Sequence, residues 1–180
     1  MIYLHTLLWF LIILFAIIGI SRGAAKELLV TISVLIAIFV LSLLELTEFF
    51  KTTLAAMEDG MVLFWVRCGI LTIFALAGYH TPSEKFNLRS QITPNEKIEH
   101  FTGFIIGALN GFLIFGTLWF FIHAANYPGE TIFSSVNGPV AELNERALNF
   151  IEFLPPSWLQ GTVLYVVVAF LVMFILIMVI

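Results

Sequence analysis

The sequence is poor in charge: 11% of its 180 residues are Asp, Glu, Lys or Arg, whereas 61% are hydrophobic. A soluble domain carries about a quarter charged residues, because its surface must be hydrated. The apolar residues also form long runs instead of recurring every second, third or fourth position, so lipid must be the solvent for much of the surface. The composition excludes an ordinary soluble domain.

Other absences narrow the function. Cys68 is the one cysteine, which excludes an intrachain disulfide. No G-x-S-x-G, P-loop or G-x-G-x-x-G motif occurs, and the four histidines have no metal-binding spacing. A net charge of −4 does not indicate the excess of positive charge that is typical of nucleic-acid-binding proteins. The sequence therefore predicts no enzyme, no catalytic residues, no cofactor, no metal and no nucleic-acid partner.

Five apolar runs predict an all-α, polytopic membrane protein. They cover residues 2–20, 28–44, 61–79, 101–123 and 161–180, each near the ~20 residues that cross a bilayer. No Lys or Arg precedes Arg22, so we interpret the first run as a retained helix and not as a cleaved signal. The second run is the shortest, which leaves a helical hairpin, entering and leaving by one side, as the alternative for the first two.

The loop at 124–160 is the longest connection. Its residues 139–154 place apolar and polar side chains on opposite sides of a predicted amphipathic helix, which Pro155 and Pro156 end. Because this helix is net acidic, packing on the protein or on a partner is favoured over the bilayer surface. Ser157 and Gln160 have the spacing of a capping box for the last span.

The Lys and Arg residues of the loops predict the orientation. The first and third loops hold five of them and the second and fourth hold two, so the first and third face the cytoplasm. The N-terminus is then outside and the C-terminus cytoplasmic.

Two sequence blocks resemble the CvpA family of bacterial inner-membrane proteins, named for a requirement in colicin V production. The charged turn Arg22-Gly23-x-x-Lys26-Glu27 is similar to the family's R-G-x-x-[RK]-E block, and residues 103–111 are similar to its G-x-x-x-G-A-x-x-G helix. The resemblance covers residues 1–123, a four-helix membrane core. It implies a bacterial inner-membrane protein and defines no molecular activity.

This chain departs from the family pattern in places. His5 stands where the family tends to have Asp, Glu99 and His100 replace an Asp-Arg pair, and Asn110 replaces a basic residue. The fifth helix, at 161–180, extends beyond the family core.

Gly103, Gly107 and Gly111 recur every fourth residue and so lie on one side of the fourth span. Such a row lets a second helix approach closely in lipid. It predicts tight helix contact, either within this protein or with a partner or second copy.

Arg67 is the one charge inside a predicted span. It is either buried for function or anchored at the interface, its side chain reaching toward Glu58 and Asp59. The charged turn of Arg22, Gly23, Lys26 and Glu27 is consistent with a topology signal, with Arg22 and Lys26 able to flank a lipid phosphate. The family resemblance implies instead a fixed turn geometry, which Gly23 would provide, or a partner contact. No pair of buried carboxylates is expected within a span.

These features favour a non-enzymatic accessory or assembly subunit of a larger membrane complex. Its expected partners are the lipid bilayer and other membrane subunits or further copies of itself. The alternative is a small transporter or channel, but transport sites usually have charged or broken helices near the midplane. Arg67, Asn110 and the glycine helix are the few such features here.

Overall fold

The computed structural model describes residues 4–54, 56–81, 95–125 and 149–179. Its long helices are α1 (Leu4–Arg22), α2 (Ala24–Leu44), α3 (Met61–His80), α4 (Glu96–Ala124) and α5 (Gly161–Val179). Those ranges contain no strand. By length and composition α1 to α4 can each cross a membrane, and α5 is apolar along its 19 residues. The predicted all-α polytopic fold is confirmed.

The helices extend past the predicted spans where charges begin. Helix α2 starts at Ala24 and has 21 residues, about 32 Å at 1.5 Å per residue. The prediction that it starts at Leu28 was wrong. The apolar run begins only after the charged residues Lys26 and Glu27, whereas the helix includes both of them. This length removes the argument for a hairpin of α1 and α2.

Helix α4 is the centre of the bundle. It packs along α1 and also contacts α2 and α3, while α2 packs against α3 and α5. The main core lies between α2, α3 and α4 and is built on Val30, Val34, Leu71, Leu113 and Ile114. Helix α5 lies at the edge, with Leu164 and Leu171 as the buried residues of its described side chains.

The segment before α5 differs from its prediction. Residues 126–148 lie outside the described ranges, and with them most of the predicted amphipathic helix at 139–154. The described part is helical up to Ile151, and Ile151 and Leu154 are buried against Leu8 and Trp119. Pro155 and Pro156 do not end a helix but begin a short one, Pro155–Trp158, because proline lacks the N–H that a first turn leaves unbonded.

The predicted capping box is absent. Ser157 Oγ donates to the carbonyl of Ile151 at 2.7 Å, and Gln160 Nε2 donates to the carbonyl of Ser157 at 2.8 Å. Both side chains therefore donate to carbonyls of preceding residues instead of capping α5. Helix α5 begins after them at Gly161, whose φ is +53°.

Candidate functional site

The glycine row of α4 lies against α1. A Cβ added at Gly107 would lie 2.5 Å from the carbonyl oxygen of Phe15, and one at Gly111 would lie 3.0 Å from the Cα of Ile12. Gly103 faces Gly19, so a side chain on either would meet the other's backbone carbonyl. The row is therefore occupied within the chain, by a helix that brings its own glycine. The spacing of Gly19 and Gly23, four residues apart, was the signal for this matching face that the sequence analysis missed.

The turn between α1 and α2 is held on the start of α4. Gly23 has φ +81°, a conformation that favours glycine, and a Cβ there would lie 2.7 Å from Glu99 Oε1. His100 Nδ1 lies 2.6 Å from the carbonyl oxygen of Ile20. The geometry of the turn is fixed at Gly23, because both the positive φ and the nearby Glu99 side chain disfavour any residue with a Cβ at that position.

A buried polar cluster follows the turn. The side chain of Glu27 is fully buried, and Arg22 Nε donates to its Oε1 at 2.7 Å. Asn110 Nδ2 lies 2.8 Å from Glu27 Oε2 and 2.9 Å from the Glu27 carbonyl oxygen. Thr31 Oγ1 donates to Asn110 Oδ1 at 2.7 Å. Both carboxylate oxygens of Glu27 are thus bonded, as a charge in an apolar interior requires.

Helix α3 closes the cluster from the other side. The guanidinium carbon of Arg22 lies 4.5 Å from the centre of the Tyr79 ring, and Arg22 Nη2 lies 3.4 Å from the Tyr79 carbonyl oxygen. Arg22 therefore joins α1, α2 and α3, while Asn110 joins α2 and α4. Because one misplaced helix would leave a buried charge unpaired, the cluster fixes the register of four helices.

The charged residues of the predicted turn lie in two different environments. Arg22 and Glu27 pair with each other in the cluster, whereas Lys26 is exposed.

Arg67 pairs with the end of α2. Its Nε and Nη2 lie 2.9 and 2.8 Å from Glu45 Oε1, and its guanidinium lies 5.8 Å from the Phe121 ring. The side chain of Arg67 is 21% exposed and that of Glu45 is 43% exposed. Arg67 is thus partly buried beside a carboxylate at the C-terminal end of α2, a residue predicted to lie in the second loop.

Arg67 is not the one charge that the helices bury, since Glu27 in α2 and Glu99 in α4 are also buried, one in each helix. Both lie just before the predicted spans, in the first turn of a longer helix. Within the part of the chain that the structure describes, no three His, Cys, Asp or Glu residues are grouped to hold a metal ion.

Comparison with known proteins gives one family. The sequence profile of the family described as Colicin V production protein matches residues 4–142. It includes both blocks of the resemblance, the cluster residues and Arg67. Searches of the curated proteins and of the solved structures gave no significant match.

Proposed function

The chain belongs to the colicin V production protein family, and from this membership we propose that it is a non-enzymatic subunit of a larger membrane complex. In this proposal it lies in the bacterial inner membrane and acts through helix packing, as an accessory or assembly component. The N-terminus is outside and the C-terminus cytoplasmic.

The observation that supports this proposal is the position of α5. Val163, Val166, Phe170, Met173 and Ile177 follow each other at steps of three and four residues and are each about half exposed or more. Such a row lies along one side of a helix. A span that buries so little against its own bundle leaves a long apolar side for lipid or for a neighbouring helix, and we assign that side to a neighbouring helix.

The glycine row does not serve as this partner face. Its close approach is already used by α1, so a partner would have to displace α1 to reach it. The assembly surface is therefore placed on the outer side of α5, and the glycine seam and the Glu27 cluster keep the bundle rigid behind it.

Matched truncations test the proposed surface. The double variant Phe170→Ala, Ile177→Ala removes side chains that are 62% and 70% exposed, and Phe10→Ala, Ile73→Ala removes equivalent ones that are 61% and 66% exposed on α1 and α3. Each protein is purified natively in mild detergent, and co-migrating proteins are identified by mass spectrometry. We expect the α5 variant to lose a partner that the wild type and the control retain. A lone monomer in all three preparations would contradict the proposal.

The orientation is tested by thiol labelling of intact cells in a Cys68→Ala background. We expect an impermeant reagent to label Glu48→Cys and not Ser90→Cys, following the loop charges. Labelling of Ser90→Cys alone would reverse the orientation.

Transport is the second candidate, and the Glu27 cluster is the observation that favours it. Buried ionisable residues in membrane helices commonly mark ion pathways. Glu27 lies in the first turn of α2 and not near its middle, and both its oxygens are bonded within the chain. The subunit proposal is therefore preferred. Proton or solute flux through liposomes containing the pure protein, lost in Glu27→Gln, would favour transport instead.

A further inference from the structure

A cavity opens where α2 ends and α3 begins, at the end of the bundle opposite the α1–α2 turn. It has a volume of about 300 Å³ and is lined by Glu45, Phe50, Lys51, Leu63 and Arg67. Its polar groups are two cations and one carboxylate, held between two apolar side chains. The cavity therefore offers charges of both signs within one small space.

Two of the charged atoms in this cavity have no polar partner within the described part of the chain. Arg67 directs both its Nε and its Nη2 to the same oxygen, Oε1 of Glu45. Oε2 of Glu45 and the ammonium of Lys51 have no polar partner among the residues that the structure describes. An anionic group can thus bind beside Lys51 and Arg67, and a cationic group can bind on Glu45, which fits a zwitterion better than a simple anion.

A second cavity continues from the same ion pair into the bundle. It has a volume of about 170 Å³, and Ile38, Leu41, Phe121 and Leu164 supply apolar walls. Thr117 also lines it, and its buried hydroxyl has no hydrogen-bond partner within the described ranges. Since a buried polar atom is normally satisfied, this hydroxyl points to an acceptor supplied from outside the chain.

We propose that these two cavities bind one phospholipid whose headgroup carries a phosphate and a primary ammonium. The phosphate lies between Lys51 and Arg67, and the ammonium donates to Oε2 of Glu45. The ester-linked start of an acyl chain enters the inner cavity, where Thr117 donates to an ester carbonyl. Basic residues between helix ends are a known means of holding lipid headgroups, and the carboxylate here selects the headgroup that has a donor.

Native mass spectrometry of the delipidated full chain in detergent tests the site. The protein is titrated with phosphatidylethanolamine, phosphatidylglycerol and phosphatidylcholine of equal chain length, and separately with glycerophosphoethanolamine, which has the headgroup without acyl chains. We expect phosphatidylethanolamine to bind most tightly. Lys51→Gln should weaken its binding about tenfold, because it removes one hydrogen bond between two charged groups. Lys97→Gln is the matched control, because Lys97 is exposed at the other end of the bundle.

Two more variants separate the parts of the proposal. Glu45→Gln should remove the preference for phosphatidylethanolamine over phosphatidylglycerol, and Thr117→Val, which keeps the side-chain shape, should weaken all three lipids alike. Equal binding of the three lipids by the wild type would overturn the proposal, as would an equal effect of Lys51→Gln and Lys97→Gln. Binding of glycerophosphoethanolamine as tight as that of the lipid would overturn the assignment of the inner cavity to an acyl chain.

Discussion

The two ends of the bundle use the same pair of residue types in opposite ways. At the end with the α1–α2 turn, Glu27 is enclosed between helices and its side chain is 0% exposed, while Arg22 is 25% exposed. At the other end, Arg67 and Glu45 lie beside two cavities, and Glu45 is 43% exposed. Glycines bring the backbones of α1 and α4 together at the first end. An Arg-Glu pair is thus structural where helices touch and accessible where they separate.

The largest effect is expected from breaking the close contact itself. Gly107→Leu places a side chain on the backbone of Phe15 and Gly19, and we expect it to lower the free energy of unfolding by at least about 3 kcal/mol, because backbone cannot move aside as a side chain can. Gly69→Leu on α3 is the control, since a Cβ there meets nothing within 4 Å. Unfolding in a denaturing detergent titration measures both. Equal stability of the two variants would show that the α1–α4 seam is not a close contact.

A smaller effect is expected from unpairing the buried charge. Arg22→Ala leaves Glu27 with Asn110 alone, and we expect a loss of about 2–3 kcal/mol, below the usual cost of a broken buried pair because Arg22 is 25% exposed. Lys26→Ala removes the same charge from an exposed position and should cost little stability. If both variants reduce correct membrane insertion equally and neither changes unfolding, the turn acts as a topology signal only.

The smallest effect is expected at the accessible pair. Glu45→Gln should lower the free energy of unfolding by less than about 1 kcal/mol, since half-exposed ion pairs contribute little. The same substitution at Glu27 should cost more, because Arg22 then loses its charged partner inside the bundle. Thermal unfolding followed by tryptophan fluorescence compares the two variants directly. A larger loss at Glu45 would reverse the comparison between the two ends.

Much of the fold could be predicted because lipid imposes a simple rule on composition. Apolar runs near 20 residues indicate helices, and the bounds predicted for α3 differ from the observed ones by one residue at the C-terminus. The predicted bounds were wrong where a helix contains charged residues, as in α2. Hydropathy counts every charged residue as polar, even one that is paired with a residue of a neighbouring helix. The proline pair was misread because proline ends one helix and begins another with equal ease.

Three features of this protein follow from its sequence alone: the all-α membrane fold, the two blocks of its family, and the side of α4 that permits close approach. These follow from local chemistry: hydropathy, charge and the missing Cβ of glycine. Three contacts depend on how the helices pack: α1 covers the glycine row, Arg22 pairs with Glu27 beside Asn110, and Arg67 pairs with Glu45. Those contacts join residues from 5 to 83 positions apart, and a charge is paired or unpaired according to what another helix places beside it.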